Sequence, residues 1–422
     1  MKQVIIFLMT LALMLSDGLA QTSTDMLNEF EPQKNDEQFD GVKVQVGGAF
    51  ALQYQALSHE NTADFVDDGN GANSNELIEL AKNFNLATAN MDLTVTLGRG
   101  LKAFLRTYMS SRHHPEPYVK GGYFQVDRLD FVKEGFLDNA MDYVTIKVGH
   151  MENNYGDAHL RRSDNAAAFY NPFVGNLLMD GFTTEVGGEV YYVNKETGLL
   201  VMLGVSNGKL NQDVKDPGET GVAILGKLGF DRTFANDARV RLTGSVYSIG
   251  NAERIYLYSA DRTGSRYYSV MESIVATRDN FRSGRVNPGF ADELTAFMIN
   301  PFVSISGVEF FGTYERASGG DFADSDDTRD WNQLAGELLY RFGADKQFYA
   351  GGRYNMAKGK LANSDPDEVS VTRFQVGAGW YLTPNILAKA EYMQQDYKDY
   401  PTSSILSEGK FNGLMLESVI AF

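Results

Sequence analysis

The 422-residue chain carries 38 Lys and Arg against 55 Asp and Glu, a formal net charge of −17, and it contains no cysteine. The negative charge argues against nucleic-acid binding, which needs concentrated basic residues, and the absence of cysteine excludes disulfide bonds. Beyond the N-terminal segment no run of about 18 apolar residues occurs, so no membrane-spanning helix is predicted.

The N-terminal 20 residues predict a secretory signal peptide. Lys2 supplies the positive charge, Val4 to Leu15 the apolar core, and Gly18 to Ala20 a small-residue cleavage site. The following residues, 21–40, are polar and acidic, and we interpret them as a mobile periplasmic tail. A short plug is the alternative interpretation of this tail.

Beyond residue 41, apolar and polar side chains alternate along the chain. Val42, Val44 and Val46 share one face, and Lys43 and Gln45 share the other. A period of two predicts β-strands with one apolar face, and strands of about ten residues or more can cross a membrane when tilted. The segments with this pattern number about 16: 42–57, 83–98, 101–112, 120–133, 140–152, 182–193, 198–207, 221–231, 237–249, 294–305, 307–317, 331–342, 347–358, 371–382, 386–398 and 410–422.

The links between these segments alternate in length. The short links include 98–100, 194–198, 233–236, 343–346 and 383–385. The long polar links are 58–82, 153–181, 208–220, 250–293, 318–330, 359–370 and 399–409. Short periplasmic turns, long extracellular loops and an even strand number are typical of outer-membrane barrels. We therefore predict an all-β fold, a transmembrane antiparallel up-and-down β-barrel of about 16 strands over residues 41–422.

The last segment carries a further indication. Leu414, Leu416, Ile420 and Phe422 share one face, interrupted by Ser418. This pattern resembles the terminal assembly signal of Gram-negative outer-membrane proteins, a strand that ends on Phe. The resemblance implies that the last strand pairs with the first and that the protein lies in the bacterial outer membrane. It also places the short links on the periplasmic side.

The long link 153–181 follows the fifth segment, where general porins fold a constriction loop inward. Its charged residues are the predicted constriction of the pore: Asp157, His159, Arg161, Arg162 and Asp164. Strand alternation predicts a second set of charged residues that face the lumen: Lys147, Arg239, Arg241, Arg341, Arg353, Arg373, Lys389, Glu185, Glu189, Glu337 and Glu391. The cations of this set either attract anions or pair with the carboxylates, and both interpretations are open.

The stretch from Lys147-Val148-Gly149-His150 to the strand of Glu185 resembles the phosphate-selective porin O and P family. The shared pattern is a strand ending in Val-Gly, an inward loop and a return strand. The resemblance implies a trimer and an anion-attracting pore lined by Arg and Lys. We therefore predict an outer-membrane porin, a channel for passive ion transport and diffusion of small polar solutes, with anions such as phosphate as candidates.

Two extracellular links carry charge clusters. The link 250–293 combines six arginines with four tyrosines, Arg254, Arg262, Arg266, Arg278, Arg282, Arg285, Tyr256, Tyr258, Tyr267 and Tyr268. It either lines or covers the outer mouth of the pore, or it binds the phosphates of surface lipids. The acidic link holds Asp321, Asp324, Asp326, Asp327 and Asp330. It lacks the glycine and terminal Glu of the helix-loop-helix calcium motif, so a solvated loop is favoured over a Ca²⁺ site.

Other functions remain as alternatives to a porin. A structural or adhesive barrel that conducts nothing has the same strand pattern. A barrel enzyme is less favoured, because no spacing of Ser, His and Asp indicates a nucleophile elbow or a triad. We predict no enzyme activity, no cofactor and no metal. The predicted partners are outer-membrane lipid and lipopolysaccharide, small hydrophilic solutes or anions, and further copies of the chain.

Overall fold

The structure is a computed structural model. It describes the backbone of residues 28–36, 38–110, 114–163, 168–209, 221–252, 255–259, 265–276, 282–321, 324–362 and 368–422, and the side chains of these residues except 109–110, 114–117, 321 and 324–327. The predicted signal peptide and Asp164 lie outside the described residues, so both stay predictions.

Sixteen antiparallel strands form a closed barrel in which each strand pairs with its neighbours in sequence. The strands are β1 (Lys43–Glu60), β2 (Asn83–Gly98), β3 (Leu101–Ser110), β4 (His114–Val126), β5 (Val144–Glu152), β6 (Thr184–Asn194), β7 (Leu199–Ser206), β8 (Ala223–Thr233), β9 (Arg239–Ala252), β10 (Ala291–Ile305), β11 (Val308–Asp321), β12 (Asp324–Phe342), β13 (Phe348–Lys360), β14 (Glu368–Thr383), β15 (Ile386–Lys398) and β16 (Lys410–Ala421). The predicted fold class is confirmed.

The first and last strands close the barrel. They pair from Ala49↔Ala421 to Glu60↔Lys410. Just beyond this ladder, the backbones of Gly48 and Phe422 exchange two hydrogen bonds, each with an N–O distance of 3.0 Å. The closure matters because lipid offers no hydrogen-bond partner to an open strand edge.

Alternation along each strand separates an apolar outer face from a polar inner face. On β12 the outer side chains Leu338 and Tyr340 are 57% and 54% exposed, whereas their inner neighbours Glu337 and Arg341 are 3% and 4% exposed. The inner side chains are covered by loops that fold into the lumen. The outer face is the apolar surface that a lipid bilayer requires.

Several predicted boundaries were wrong. Segment 120–133 was predicted to be one strand, but β4 ends at Val126. Arg128 leaves the strand because its guanidinium donates to the Asp36 carboxylate at 2.9 Å and lies 2.7 Å from that of Asp142. Turns and a short helix, α1 (Asp138–Met141), complete this link, so β5 begins at Val144 and not at residue 140. Within the described residues no helix is long and apolar enough to cross a membrane.

The link 318–330 was predicted to be a loop, but β11 and β12 extend through most of it. The ladder continues through Ala317↔Trp331 and Gly319↔Arg329. Trp331 is fully buried, and its indole N–H donates to the carbonyl of Lys360 at 2.7 Å. Burial of this side chain therefore holds residues in the sheet that their polar character assigned to a loop.

Pro301 lies within β10. Proline cannot donate to the ladder. The side chain of Asn300 supplies a neighbouring donor to the carbonyl of Gly312 at 3.1 Å. The proline is thereby tolerated inside a spanning strand.

Candidate functional site: the barrel lumen

The link between β5 and β6 folds into the barrel. We call its described residues, 153–163 and 168–181, the inner loop. Its backbone amides donate to side chains of the opposite wall: Asp157 to Asn300 at 2.7 Å, and Val174 to Glu391 at 2.9 Å. The phenol of Tyr155 donates to Glu315 at 3.0 Å. The inner loop therefore crosses the lumen and is bound to the far side.

Asp157 is the electrostatic anchor of this loop. Its carboxylate accepts hydrogen bonds from Arg241 at 2.8 Å, Thr243 at 2.7 Å and Lys227 at 3.1 Å. The side chains of Asp157, Arg241 and Lys227 are fully buried. Burial alone would raise the pKa of Asp157, but the charges of Arg241 and Lys227 outweigh burial and hold this pKa well below its usual range.

The two loop arginines predicted at the constriction are both paired with carboxylates. Arg161 donates to Glu337 at 3.2 Å. Arg162 donates to both oxygens of Asp180, at 2.8 and 2.5 Å, and its guanidinium stacks over Phe182 at 4.0 Å. The donor fork of Arg162 is occupied by Asp180, whereas Nη2 of Arg161 is buried without a hydrogen-bond partner among the described residues. His159, in turn, contacts Glu152 and Asn154.

Most predicted lumen cations on β9–β16 hold protein groups in the same way. Arg239 is bidentate to Asp231, at 2.8 and 2.6 Å. The remaining pairs and backbone contacts are Arg341 with Glu309, Arg353 with Glu337, Arg373 with the carbonyls of Asn176 and Gly284, and Lys389 with Glu417 and the carbonyls of Ala168, Asn171 and Phe173. On this wall the lumen cations pair with carboxylates or backbone carbonyls, as the second of the two open interpretations expected.

The predicted lumen acids also bind protein groups. Glu189 accepts from the amide of Asn154 at 2.9 Å, and Glu185 from the phenol of Tyr247 at 3.0 Å. Glu391 binds the inner loop, as described above. These carboxylates therefore position loops and tyrosines within the barrel.

The described residues between β9 and β10, which we call the outer loop (255–259, 265–276 and 282–290), enter the lumen from the opposite end to the short turns. Arg266 is fully buried and pairs with Glu417. The phenol of Tyr267 donates to Glu391 at 2.6 Å. Arg266 and Arg285 are both directed into protein, so they do not present their charge to surface lipids. Arg254, Arg262 and Arg278 lie outside the described residues.

The residues before β1 also enter the barrel, which corrects the interpretation of 21–40 as a mobile tail for its described part. We call residues 28–36 the N-terminal strap. Phe30 is 1% exposed and packs on Phe302 and Phe311, with ring centroids 5.5 and 6.4 Å away. The guanidinium of Arg241 lies 4.6 Å from the Phe30 ring and binds Glu31.

The strap continues across the end of the barrel that carries the short turns. The ammonium of Lys34 donates to the carbonyls of Met141 and Val144 at 2.7 and 2.6 Å. The amide of Asn35 donates to Asp127 at 2.9 Å. Sequence reasoning missed this position because the strap's partners lie roughly 100 to 280 residues away in the chain.

Open space remains on the other side of the lumen. A cavity of about 640 Å³, which we call the β2–β6 cavity, lies between the strap, the inner loop and the wall. Its lining residues are Glu29, Gln33, Thr94, Lys102, Phe104, Arg106, Lys120, Gly121, Tyr123, Lys147, Met151, Glu152, Tyr170, Phe182 and Thr184. Of its four cations, only Lys147 was among the predicted site residues. Alternation along the predicted 101–112 strand would have indicated Lys102 and Arg106.

The acidic link gives no metal site within the part of the chain that the structure describes. No group of three potential metal ligands occurs among these residues. Asp330 is exposed and pairs with Arg316 at 2.9 Å. The side chains of Asp321, Asp324, Asp326 and Asp327 lie outside the described set.

The fold resembles solved outer-membrane proteins. OmpT of Vibrio cholerae in its trimer form gives a TM-score of 0.53 at 11% identity, covering 91% of this chain and 100% of that one. OmpF of Salmonella typhi in complex with daunomycin gives 0.51 at 12%, with 91% and 98% covered. OprB of Pseudomonas putida gives 0.51 at 10%, with 90% and 94% covered. The shared feature is the barrel. No family model and no curated protein matches the sequence.

Replacing Phe30 by Ala should release the strap. Loss of a buried Phe typically costs about 3–5 kcal/mol, and the strap has few other apolar contacts. We expect the single-channel conductance in planar bilayers to rise. Phe39→Ala is the matched control, since Phe39 lies in the same segment and is 40% exposed. An unchanged conductance in the Phe30 variant would show that the strap does not narrow the open part of the lumen.

Replacing Asp157 by Asn should destabilise the barrel by about 3–5 kcal/mol, because Arg241 and Lys227 keep buried charges without their shared carboxylate. Denaturant unfolding in detergent measures the effect. Asp330→Asn is the control, since its exposed pair should contribute about 0–1 kcal/mol. Equal losses in the two variants would contradict the anchor role.

The pH dependence of the Asp157 effect has a definite sign. A depressed native pKa gives stability that is present above the unfolded value of about 3.9 and is lost only as the pH falls through the native value. The stability difference between wild type and Asp157→Asn should therefore be constant from pH 5 to pH 8, as measured by unfolding at several pH values.

Proposed function

We propose that the protein is an outer-membrane porin that passes small polar solutes by passive diffusion and prefers anions. The path runs along the β2–β6 cavity. A barrel of 16 strands with an apolar outer face and a polar inner face suits a membrane channel. We further propose that residues 1–20 are a signal peptide that directs export, and that the short turns face the periplasm.

The observation that carries this proposal is the charge of the β2–β6 cavity. Its lining holds four cationic side chains and two carboxylates, Glu29 and Glu152. Arg106 is bidentate to Asp92, at 2.8 and 2.7 Å, which leaves three cations facing the two carboxylates. Within the described residues, neither Lys102 nor Lys147 forms a salt bridge; Lys102 donates to the carbonyl of Gln33 at 3.0 Å, and Lys147 lies 4.4 Å from the Tyr123 ring centroid. An excess of positive charge in a narrow, low-dielectric passage raises the local concentration of anions.

The contacts of the two inner-loop arginines argue for a broad anion preference and against a dedicated phosphate site at the inner loop. A phosphate site is favoured by arginine forks that donate two parallel hydrogen bonds. Arg162 gives its fork to Asp180, and Arg161 donates to Glu337. Phosphate is then one of several anions that pass along the lysine-rich wall.

A non-conducting structural barrel is the second candidate. It is favoured by the strap, the inner loop and the outer loop, which make buried contacts along much of the β8–β16 side of the lumen. A cavity of about 510 Å³ remains there beside Asn28, Arg239 and Arg341. Enzyme activity is not proposed, because the charged lumen groups on that side are bound to loops. Conductance in planar bilayers separates the two candidates: a structural barrel gives no channel steps.

Replacing Lys102 and Lys147 together by Gln should weaken anion preference. Each unit charge in contact with an ion in water contributes about 1 kcal/mol, so we expect the loss of both charges to lower the chloride-to-potassium permeability ratio roughly thirtyfold. The zero-current potential across a potassium chloride gradient measures it. Lys398→Gln is the control, because Lys398 is exposed and paired with Glu408 outside the cavity. A cation preference of the unaltered protein would refute the proposal.

We also propose that copies of the chain form a trimer, as the family resemblance implies and as OmpT does in its trimer form. An apolar concavity of about 680 Å³ on the outer wall supports this assembly. It is built from small side chains, including Ala350, Ala378, Ala388 and Ala390, beside aromatic side chains such as Phe348 and Trp380. A second copy can approach closely where the outward side chains are small.

Replacing Ala378 by Phe should block this approach and yield monomers, as measured by light scattering of the detergent-solubilised protein. The larger side chain stays apolar, so insertion into the membrane is retained. Leu228→Phe, at an outward position on β8 that is 62% exposed, is the control and should remain trimeric. A monomeric unaltered protein would refute the assembly.

A further inference from the structure

The β2–β6 cavity is lined by aromatic rings as well as by cations. Phe104, Tyr123, Tyr170 and Phe182 all contribute to its wall. The rings of Phe104 and Tyr123 lie 5.2 Å apart between centroids at an angle of 34°. Rings also lie beside cations on the β8–β16 side, for example Phe173 beside Arg353 and Tyr267 beside Arg373, but there both side chains are buried against the loops. The cavity therefore differs from the rest of the lumen in leaving its rings and cations beside open space.

Three of the four cations of the cavity lie beside a ring. Lys147 is 4.4 Å from the centroid of Tyr123, and Arg106 is 5.3 Å from that of Phe104. Lys120 lies 5.3 Å from the centroid of Phe182. A ligand that contacts one of these cations with its charge is thus within reach of an aromatic surface.

A small inorganic anion has no apolar surface with which to contact these rings. Phe104, Tyr123 and Tyr170 are only half-buried in the wall of the cavity. Apolar surface that faces water is unfavourable, and it gains free energy when a flat apolar group covers it. The cavity volume also falls in the range of ligand sites, about 300–1,000 Å³.

We infer that the β2–β6 cavity is a binding site for organic anions in which a carboxylate is attached to an aromatic ring. The lysines bind the carboxylate and the rings of Phe104 and Tyr123 bind the flat body. Hydroxyl groups on such a ligand have partners in Thr94 and Gln33, which line the same cavity. This inference deepens the proposed porin function and rests on it.

Benzoate block of the chloride current tests the inference. Added benzoate should reduce the current in a saturable way, whereas acetate, with the same charge and no ring, should not saturate at the same concentrations. Benzyl alcohol, with the ring and no charge, should also leave the current unchanged. Equal effects of benzoate and acetate on a conducting channel would overturn the inference and leave the porin function standing.

Two variants test whether benzoate blocks the current by binding in the β2–β6 cavity. Tyr123→Leu should weaken benzoate block about tenfold, the upper range for one aromatic contact. Phe124→Leu is the matched control, because Phe124 is the next residue of β4 and is 44% exposed on the outer face. Unchanged block in Tyr123→Leu, or equal loss in both variants, would overturn the inference.

A direct binding measurement separates this inference from the porin function. Isothermal titration calorimetry of the detergent-solubilised protein with benzoate should show binding that Tyr123→Leu and Lys147→Gln each weaken. If the unaltered protein does not conduct, the porin function fails, and benzoate binding that these variants reduce would still establish the site. Absence of benzoate binding would overturn the site whatever the conductance.

Discussion

The closed backbone ladder is the constraint on which the rest of the structure depends. In lipid, each unsatisfied N–H or C=O group costs several kcal/mol, so the sheet has to close through β1 and β16. Closure then leaves two environments, lipid outside and an enclosed lumen inside. Successive side chains along a strand point alternately to the lipid and to the lumen, which produces both the apolar outer face and the concentration of charge inside.

Charge inside the barrel is used in two ways. Along β8–β16, cations and carboxylates are paired with each other or with loop backbone, and these contacts bind the strap, the inner loop and the outer loop. Asp157 shows the pattern, since Lys227 and Arg241 on adjacent strands hold it in the lumen. Along β2–β6, Lys102 and Lys147 form no salt bridge within the described residues, and the space beside them stays open. The asymmetry of the lumen therefore results from where the loops are bound.

The strand plan was predictable because period-two alternation is a local property. Most boundaries differ from the predicted ones by one to three residues, for example β13 at Phe348–Lys360 against 347–358. The larger errors came from contacts between distant residues. Arg128 ends β4 because Asp36 and Asp142 bind it, and burial of Trp331 extends the β11–β12 ladder into the link 318–330.

The sequence by itself determined the barrel, its strand number, the alternation of short and long links, and which side chains face the lumen. Tertiary structure alone decided which of those side chains bind other protein groups and which remain open to the lumen. Arg161 and Arg162 were predicted at the constriction of the pore, yet Glu337, 176 positions away from Arg161, and Asp180 bind them. Likewise Phe30 lies in the lumen because Phe302 and Phe311 pack around it. The physical reason is that ion pairs and packing depend on distance in space, which alternation along one strand does not encode.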